Sequence, residues 1–297
     1  MSTLVIVGPT ASGKSALALE IARRTGAEII SADSMAVYRG MDIGTAKPTP
    51  AERSLVPHHL IDVVGPDEEF SVADFQRLAT SALAAVGRAI VVGGTGLYVD
   101  ALVDGFTLPG QFPGVREELE TRPTEDLWAR LERADPLAAT RIEPGNRRRI
   151  VRALEVTLGS GHAFSSFGPG LQAARGERAE REFHLVGLCM PRPAIAGRIA
   201  ARYEAQMAAG FLGEVEGLRA AYGERLSRTA GQALGYRELL AHLDGTCTLP
   251  EAVDEARRRT VRFSKRQERW FRRDPRIRWY EVNSVRLAEQ VLADWAG

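Results

Sequence analysis

Residues 8–15, Gly8-Pro9-Thr10-Ala11-Ser12-Gly13-Lys14-Ser15, read G-x-x-x-x-G-K-S between the β-branched run TLVIV and the helix-forming ALALEIARR. In a strand-loop-helix setting, successive backbone N–H groups of such a loop surround a phosphate, and the amino end of the helix adds partial positive charge. Lys14 then reaches the outer phosphate oxygens, and the Ser15 hydroxyl is placed to ligate Mg²⁺. The motif is complete and in context, so it specifies a bound di- or triphosphate. It does not name the reaction.

Two further groups are expected beside that loop. Asp33, in ISADS, ends a short apolar stretch; a carboxylate there can take a proton from a nucleophile, hold a metal, or merely cap a turn. Thr95, in VGGTG, follows another apolar run. Its hydroxyl either caps the next helix or projects toward the same place.

The basic residues are almost wholly arginine, the lysines being Lys14, Lys47 and Lys265. Against that bias a retained lysine marks a position suited to a compact ammonium, which argues modestly for a role of Lys47 in DIGTAKP. His58 and His59 lack metal-ligand spacing and read as structural, ahead of a strand-like LID. Arg147, Arg148, Arg149 and Arg152 open a helix, where their charges oppose its dipole unless something negative lies nearby, and phosphate is the natural candidate. Nine basic residues from Arg257 to Arg273, interleaved with Phe263, Trp270 and Phe271, form either a nucleic-acid surface or a salt-bridged amphipathic helix. The pattern favours neither.

Positioning the phosphate loop, Asp33 and Thr95 together requires a sheet whose strands all point one way. Short apolar runs at 3–7, 27–32, 89–92 and 183–190 alternate with helical segments, which specifies a parallel sheet covered on both faces. In such sheets ligands collect at the carboxyl ends of the strands. Residues 36–66 carry turn formers and little periodicity and are read as a long irregular loop. From about Gly110 the chain becomes charged and helical, with a loop-like, mobile stretch over 165–181, before the strand pattern returns. The expected fold is α/β, a P-loop parallel sheet flanked by helices with an inserted helical domain. Residues 1–111 and 183–297 form the core domain and 112–182 the insertion.

Composition excludes other classes. A chain of 297 residues, 44% of them hydrophobic, is long enough for a core plus an insertion. No apolar stretch approaches the roughly 20 residues that span a bilayer, and the first strand begins without a charged leader. Cys189 and Cys247 lie too far apart in sequence for a metal motif, which suits a reducing compartment. A cytoplasmic protein without membrane contact is expected.

Taken together, GPTASGKS, ISADSMAVYRGMDIGTAKP, PHHLID, FSVADF, VGGTGLYVDAL, RALEV and GYRE resemble the bacterial tRNA dimethylallyltransferases, also called tRNA isopentenyltransferases. The resemblance is collinear over nearly the whole chain. It implies transfer of a dimethylallyl group from dimethylallyl diphosphate to the exocyclic N6 amine of the adenosine on the 3′ side of the anticodon, in tRNAs reading U-starting codons. Pyrophosphate leaves, so the phosphate loop holds a discarded group. The resemblance assigns Lys14, Asp33 and Thr95 to catalysis and the loop Gly8 to Ser15 to the diphosphate, with Mg²⁺ as cofactor. It assigns tRNA contacts to Asp33, Ser34, Met35, Ala36, Thr95, Arg116, Arg148, Arg149, Ile150, Val151, Arg152, Gln232, Ala233, Leu234, Gly235, Tyr236 and Arg237. The insertion would clasp the anticodon stem-loop, and the enzyme would act as a monomer. An arginine beside the leaving group is also implied, with Arg39, Arg116 and Arg237 left as candidates. Gly96 stands where a bulkier residue is expected. A small-molecule or nucleoside kinase using ATP is the competing reading; a non-catalytic RNA-binding NTPase is a third, but the strand AIVVGGTG ends without the carboxylate that such a protein needs.

Overall fold

The computed structural model describes residues 2–106, 108–167, 182–283 and 286–296. Most of the stretch expected to be a mobile loop, residues 168–181, lies outside them. The chain divides into two compact units, Met1–Val103 with Ala179–Gly297, and Asp104–Arg178.

The first unit opens with β1 (Thr3–Val7), α1 (Lys14–Thr25), β2 (Glu28–Ser31), α2 (Pro50–Leu55), β3 (His58–His59), α3 (Val72–Ala85), β4 (Ala89–Gly93) and α4 (Gly96–Val103). Ser71 caps α3 through a reciprocal pair with Asp74, as the Ser-x-x-Asp spacing dictates. The second unit holds α5 (Pro113–Glu120), α6 (Thr124–Ala134), α7 (Pro136–Ala139) and α8 (Arg147–Ser160). The first resumes with β5 (Phe183–Cys189), α9 (Arg192–Ala208), α10 (Phe211–Tyr222), α11 (Arg228–Gly231), α12 (Tyr236–Leu243), α13 (Leu249–Phe271), β6 (Arg278–Glu281) and α14 (Leu287–Ala296). Among the described residues no helix is long and apolar enough to cross a membrane.

All pairings in the sheet are parallel, in the order β3-β2-β4-β1-β5-β6. Both faces are covered, so the central strands β1 and β4 are buried at every position and read as near-continuous apolar runs rather than alternating. Val5, Val7 and Val91 join one core with Phe75, Tyr98 and Ile199, while Leu4, Ile6, Ile90 and Val92 join another with Leu17, Ile21 and Val291. The register sets Val7 beside Gly93 and Ser31 beside Val92. The carboxyl ends of β1, β2 and β4 are therefore level, and the three loops that leave them share one edge.

Residues 36–66 are more ordered than their composition predicts. Thr49 and Glu52 form a capping box on α2, whose first residue is Pro50. The strand falls on His58–His59, pairing with Ile29 and Ile30, rather than on the following LID. Leu60 and Asp62 take φ of 61° and 58°, left-handed values that end a strand. His58 Nδ1 lies 2.8 Å from Val56 O and His59 Nε2 2.6 Å from Glu28 Oε2, which are structural bonds. Lys47 is buried within this segment, its ammonium on Asp42 Oδ1 at 2.7 Å, Asp62 Oδ1 at 2.6 Å and the Tyr38 carbonyl. The lysine kept against the arginine bias thus organises a loop and does not face the phosphate.

In the second unit Leu119, Leu127, Leu131, Ile150, Val151 and Leu154 make a separate core. Glu155 is buried there and accepts from Phe112 N at 2.9 Å, Arg116 Nη1 at 3.4 Å and Arg152 Nη1 at 3.0 Å. Arg152 also donates to Pro109 O and Gly110 O. Those bonds tie residues before 112 to the helical unit, so it begins earlier than the change of sequence texture.

Candidate active site

The phosphate loop leaves β1 at Val7 and enters α1 through Gly13, which caps the helix at φ 92°. No acidic residue sits in the first turn of α1, so nothing offsets its positive end. Lys14 Nζ donates to Pro9 O at 2.7 Å, across the loop. Ser12 Oγ is buried with no hydrogen-bond partner among the described residues, and Ser15 is exposed on the first turn.

Three side chains from two distant helices complete the cradle. Arg202 of α9 donates through Nη2 to Thr10 Oγ1 at 2.9 Å, and Arg198, one turn before it, reaches Ala11 O at 3.4 Å. Gln267 of α13 accepts from Thr10 N at 2.8 Å and donates to Gly94 O at 2.8 Å. One buried amide side chain thereby staples the phosphate loop to the turn that carries Thr95. Burial pushes the Lys14 ammonium down to about 8, against the pull of the Asp33 carboxylate, with Arg202 pushing the same way as burial. Burial likewise lowers Arg202, opposed by Tyr203 and Asp33. Two cations are thus held half out of water with Asp33 as the nearby carboxylate, an arrangement that favours a bound polyanion.

Asp33 follows β2 at the same edge. Its Oδ1 accepts from Met35 N at 2.8 Å and Ala36 N at 3.4 Å, a local turn that fixes the carboxylate and leaves Oδ2 without a hydrogen-bond partner among the described residues. Thr95 begins α4 through its carbonyl, which accepts from Val99 N at 3.2 Å, but its hydroxyl turns to Ser34. Its Oγ1 accepts from Ser34 N at 3.1 Å and bonds Ser34 Oγ at 3.3 Å, so the hydroxyl holds the backbone next to Asp33. The geometry places Lys14, Asp33 and Thr95 together.

Other residues assigned by resemblance divide by exposure. Gln232 and Arg237 are exposed, and Ser34, Met35 and Leu234 are partly so. Ala36, Ala233 and Tyr236 are buried, as are Ile150 and Val151. Those five side chains cannot meet tRNA directly, because each is spent on a core; they shape the backbone that presents their neighbours. In α8, Arg147 donates to Glu120 O, Arg122 O and Thr124 Oγ1, and Arg152 serves Glu155. Arg148 and Arg149 are exposed, and neither guanidinium bonds or pairs with any described residue. Of the three arginines proposed for the leaving group, Arg39 is bound to Val63 O at 2.8 Å and Glu68, and Arg116 to Glu120 and Glu155. Arg237 is exposed on α12. The arginines that touch the loop are Arg202 and Arg198, hidden by periodicity because α9 is arginine-dotted; their i, i+4 spacing, which puts them on one face, is the available signal.

Gly96 has a physical reason. A Cβ there would come within 2.2 Å of Trp270 Cδ1, and Trp270 Nε1 donates to Asp100 Oδ2 at 3.2 Å. The indole of α13 fills the space a bulkier residue would take. The basic helix divides along its length. Its first half is paired, Arg257 with Glu204, Arg258 and Arg262 with Glu255, and Arg259 with Glu238. Farther on, Lys265, Arg269 and Arg273 are exposed without acidic partners among the described residues.

The chain matches the family model for IPP transferase over residues 36–274 and that for isopentenyl transferase over residues 1–60. It is 50% identical to a tRNA dimethylallyltransferase of Moorella thermoacetica, covering 96% of this chain and 91% of the relative. The protein of the same name from Streptomyces coelicolor is 49% identical over 93% and 89%. The crystal structure of the full-length tRNA isopentenylpyrophosphate transferase from Bacillus halodurans superposes with a TM-score of 0.71 at 38% identity, over 99% of this chain and 94% of that one. A matched loop, a level sheet edge and near full-length identity converge, and the chain belongs to the tRNA dimethylallyltransferase family.

Proposed function

We propose that this chain transfers a dimethylallyl group from dimethylallyl diphosphate to the N6 amine of the adenosine 3′ of the anticodon, releasing pyrophosphate. The observation that carries the reading is the meeting of an anion cradle and a free carboxylate oxygen at one sheet edge. In the reaction the carbon–oxygen bond to the diphosphate breaks as the nitrogen–carbon bond forms. Charge grows on the departing oxygens, where the amides of Gly8 to Ser15, Lys14 and Arg202 bind it more tightly than in the ground state. An exocyclic amine is a weak nucleophile; Asp33 Oδ2 accepts its proton as the new bond closes. Thr95 positions Asp33 through Ser34. The target base leaves its stack to reach this edge.

Mg²⁺ fits the residues present. Among the described residues there is no cluster of three or more carboxylate, histidine or cysteine ligands, which suits a cation carried mainly by diphosphate oxygens and waters, with Ser15 as its protein ligand. Bound there, it would neutralise charge on the leaving group. Action as a monomer in the cytoplasm is part of the same proposal. A kinase would need a base clamp for ATP, and β4 ends in Gly93 without a carboxylate.

Purified protein with Mg²⁺ and labelled dimethylallyl diphosphate is expected to transfer one label to unmodified tRNA reading U-starting codons, with one pyrophosphate released. Labelled γ-phosphate passing from ATP to a small molecule, with tRNA unlabelled, overturns this reading in favour of the kinase. Arg148 and Arg149, exposed and unpaired, are proposed as phosphate contacts. Replacing both with alanine is expected to weaken tRNA binding and reduce the slope of log K against log salt by about 2. An unchanged slope returns them to a solvated face.

A further inference from the structure

Outside the cradle, a carboxylate with four hydrogen bonds belongs to Glu214, in the first turn of α10. Its Oε2 accepts from Asp42 N at 2.8 Å and Ile43 N at 2.7 Å, and its Oε1 from Gly44 N at 3.1 Å. The Tyr236 hydroxyl adds a fourth bond at 2.6 Å. Burial holds the Tyr236 phenol well above its ordinary pKa, and Glu214 adds to this, so that proton stays on the phenol. From the other side Gln206 of α9 donates to Ile43 O at 2.6 Å and Gly44 O at 3.1 Å. The fit is close: a Cβ on Gly44 would lie 2.2 Å from the Phe211 ring and 2.5 Å from Tyr236.

The grip continues toward Asp33 through bonded neighbours. Asp42 holds the Lys47 ammonium, Lys47 holds Asp62, and Asp62 N donates to Ala36 O at 3.2 Å. Ala36 N in turn bonds Asp33 Oδ1. At the far end, Tyr236 belongs to the segment 232–237, whose exposed members Gln232 and Arg237 face solvent.

We infer that Glu214 is a positioning residue: it latches the loop 42–44 to Tyr236 and so couples occupancy of the 232–237 segment by tRNA to the placement of the Asp33 carboxylate. The inference rests on the proposed prenyl transfer for its kinetic arm, but not for its structural one. Glutamine at 214 keeps the size and one acceptor oxygen, yet turns an N–H₂ toward backbone donors that need a carboxylate.

In Glu214→Gln we expect kcat on tRNA to fall at least tenfold, while the Kd for dimethylallyl diphosphate stays within about twofold, since the cradle is untouched. Tyr236→Phe, which removes one bond of four and no charge, is expected to lower kcat about threefold. The double variant should be no worse than Glu214→Gln alone, because the two residues act as one unit. Amide exchange supplies a readout independent of turnover: Met35, Ala36 and Asp42–Gly44 should exchange at least tenfold faster in Glu214→Gln, with the amides of residues 10–15 unchanged. Unchanged kcat with faster exchange confined to residues 42–44 overturns the coupling, as does an equal loss of donor affinity and turnover. A wild-type enzyme that transfers no prenyl group defeats the proposed function instead, and the exchange pattern then decides the latch by itself.

Discussion

Asp33→Asn is expected to lower turnover on tRNA by about 10²-fold or more, with tRNA and donor affinities within a few fold of wild type. Asparagine still offers an acceptor to Met35 N and Ala36 N, the two bonds Oδ1 makes now, so the turn survives. What disappears is the carboxylate oxygen proposed as the base, Oδ2. Asp33→Ala removes both functions and is expected to match the kinetic loss while also lowering thermal stability, because a capping side chain contributes about 1 kcal/mol. Single-turnover transfer and a melting curve on the pair separate the roles. Full turnover per folded molecule in Asp33→Asn would reduce the residue to a turn former.

Lys14→Met is expected to cost about 10²–10³-fold in kcat/KM for the donor, since a donor aimed at developing charge in a half-buried site is worth more there than in water. Its pH dependence is the sharper signature. Burial brings the Lys14 ammonium to about 8, so in the free enzyme the amine is largely charged below that value and largely neutral above it. A diphosphate favours the charged form and raises the pKa on binding. Donor affinity should therefore be full below pH 8 and weaken above it, by at most about tenfold per unit, with proton uptake accompanying binding near and above pH 8. The slope should vanish in Lys14→Met. Calorimetry in buffers of different ionisation enthalpy checks both points, and a flat wild-type profile between pH 8 and 9.5 would remove Lys14 from the donor's contacts.

How far the site could be read from residues alone depended on how local each contact is. The loop 8–15 carries its function in consecutive backbone positions, and the runs before Asp33 and Thr95 are short buried strands whose ends must be level once they pair. All three were legible because alternating strands and helices make a parallel sheet, whose strands present their carboxyl ends along one edge. Arg202, Gln267 and Glu214 were not. Each lies on a helix made more than 150 residues after the segment it touches, and helical periodicity says which face is apolar but not which loop a polar side chain will meet. Lys47 misled in an instructive way: the arginine bias rightly marked it as unusual, but a buried ammonium shared by two carboxylates and a carbonyl satisfies the same description as a ligand-binding one. Ile150, Val151 and Tyr236 show the reverse error. A segment can border a substrate while half its side chains face inward, as any helix with one wet face must.

The Gln267 staple has a consequence for biosynthesis. Its partners, Thr10 and Gly94, are made 257 and 173 residues before it. At ribosomal speeds of roughly 5–20 residues per second, the front of the molecule waits for tens of seconds with its anion loop unbraced. Until α13 is made, the amide of Thr10 and the carbonyl of Gly94 lack the side chain that joins them, so the spacing between the loop and its neighbouring turn is set late in synthesis.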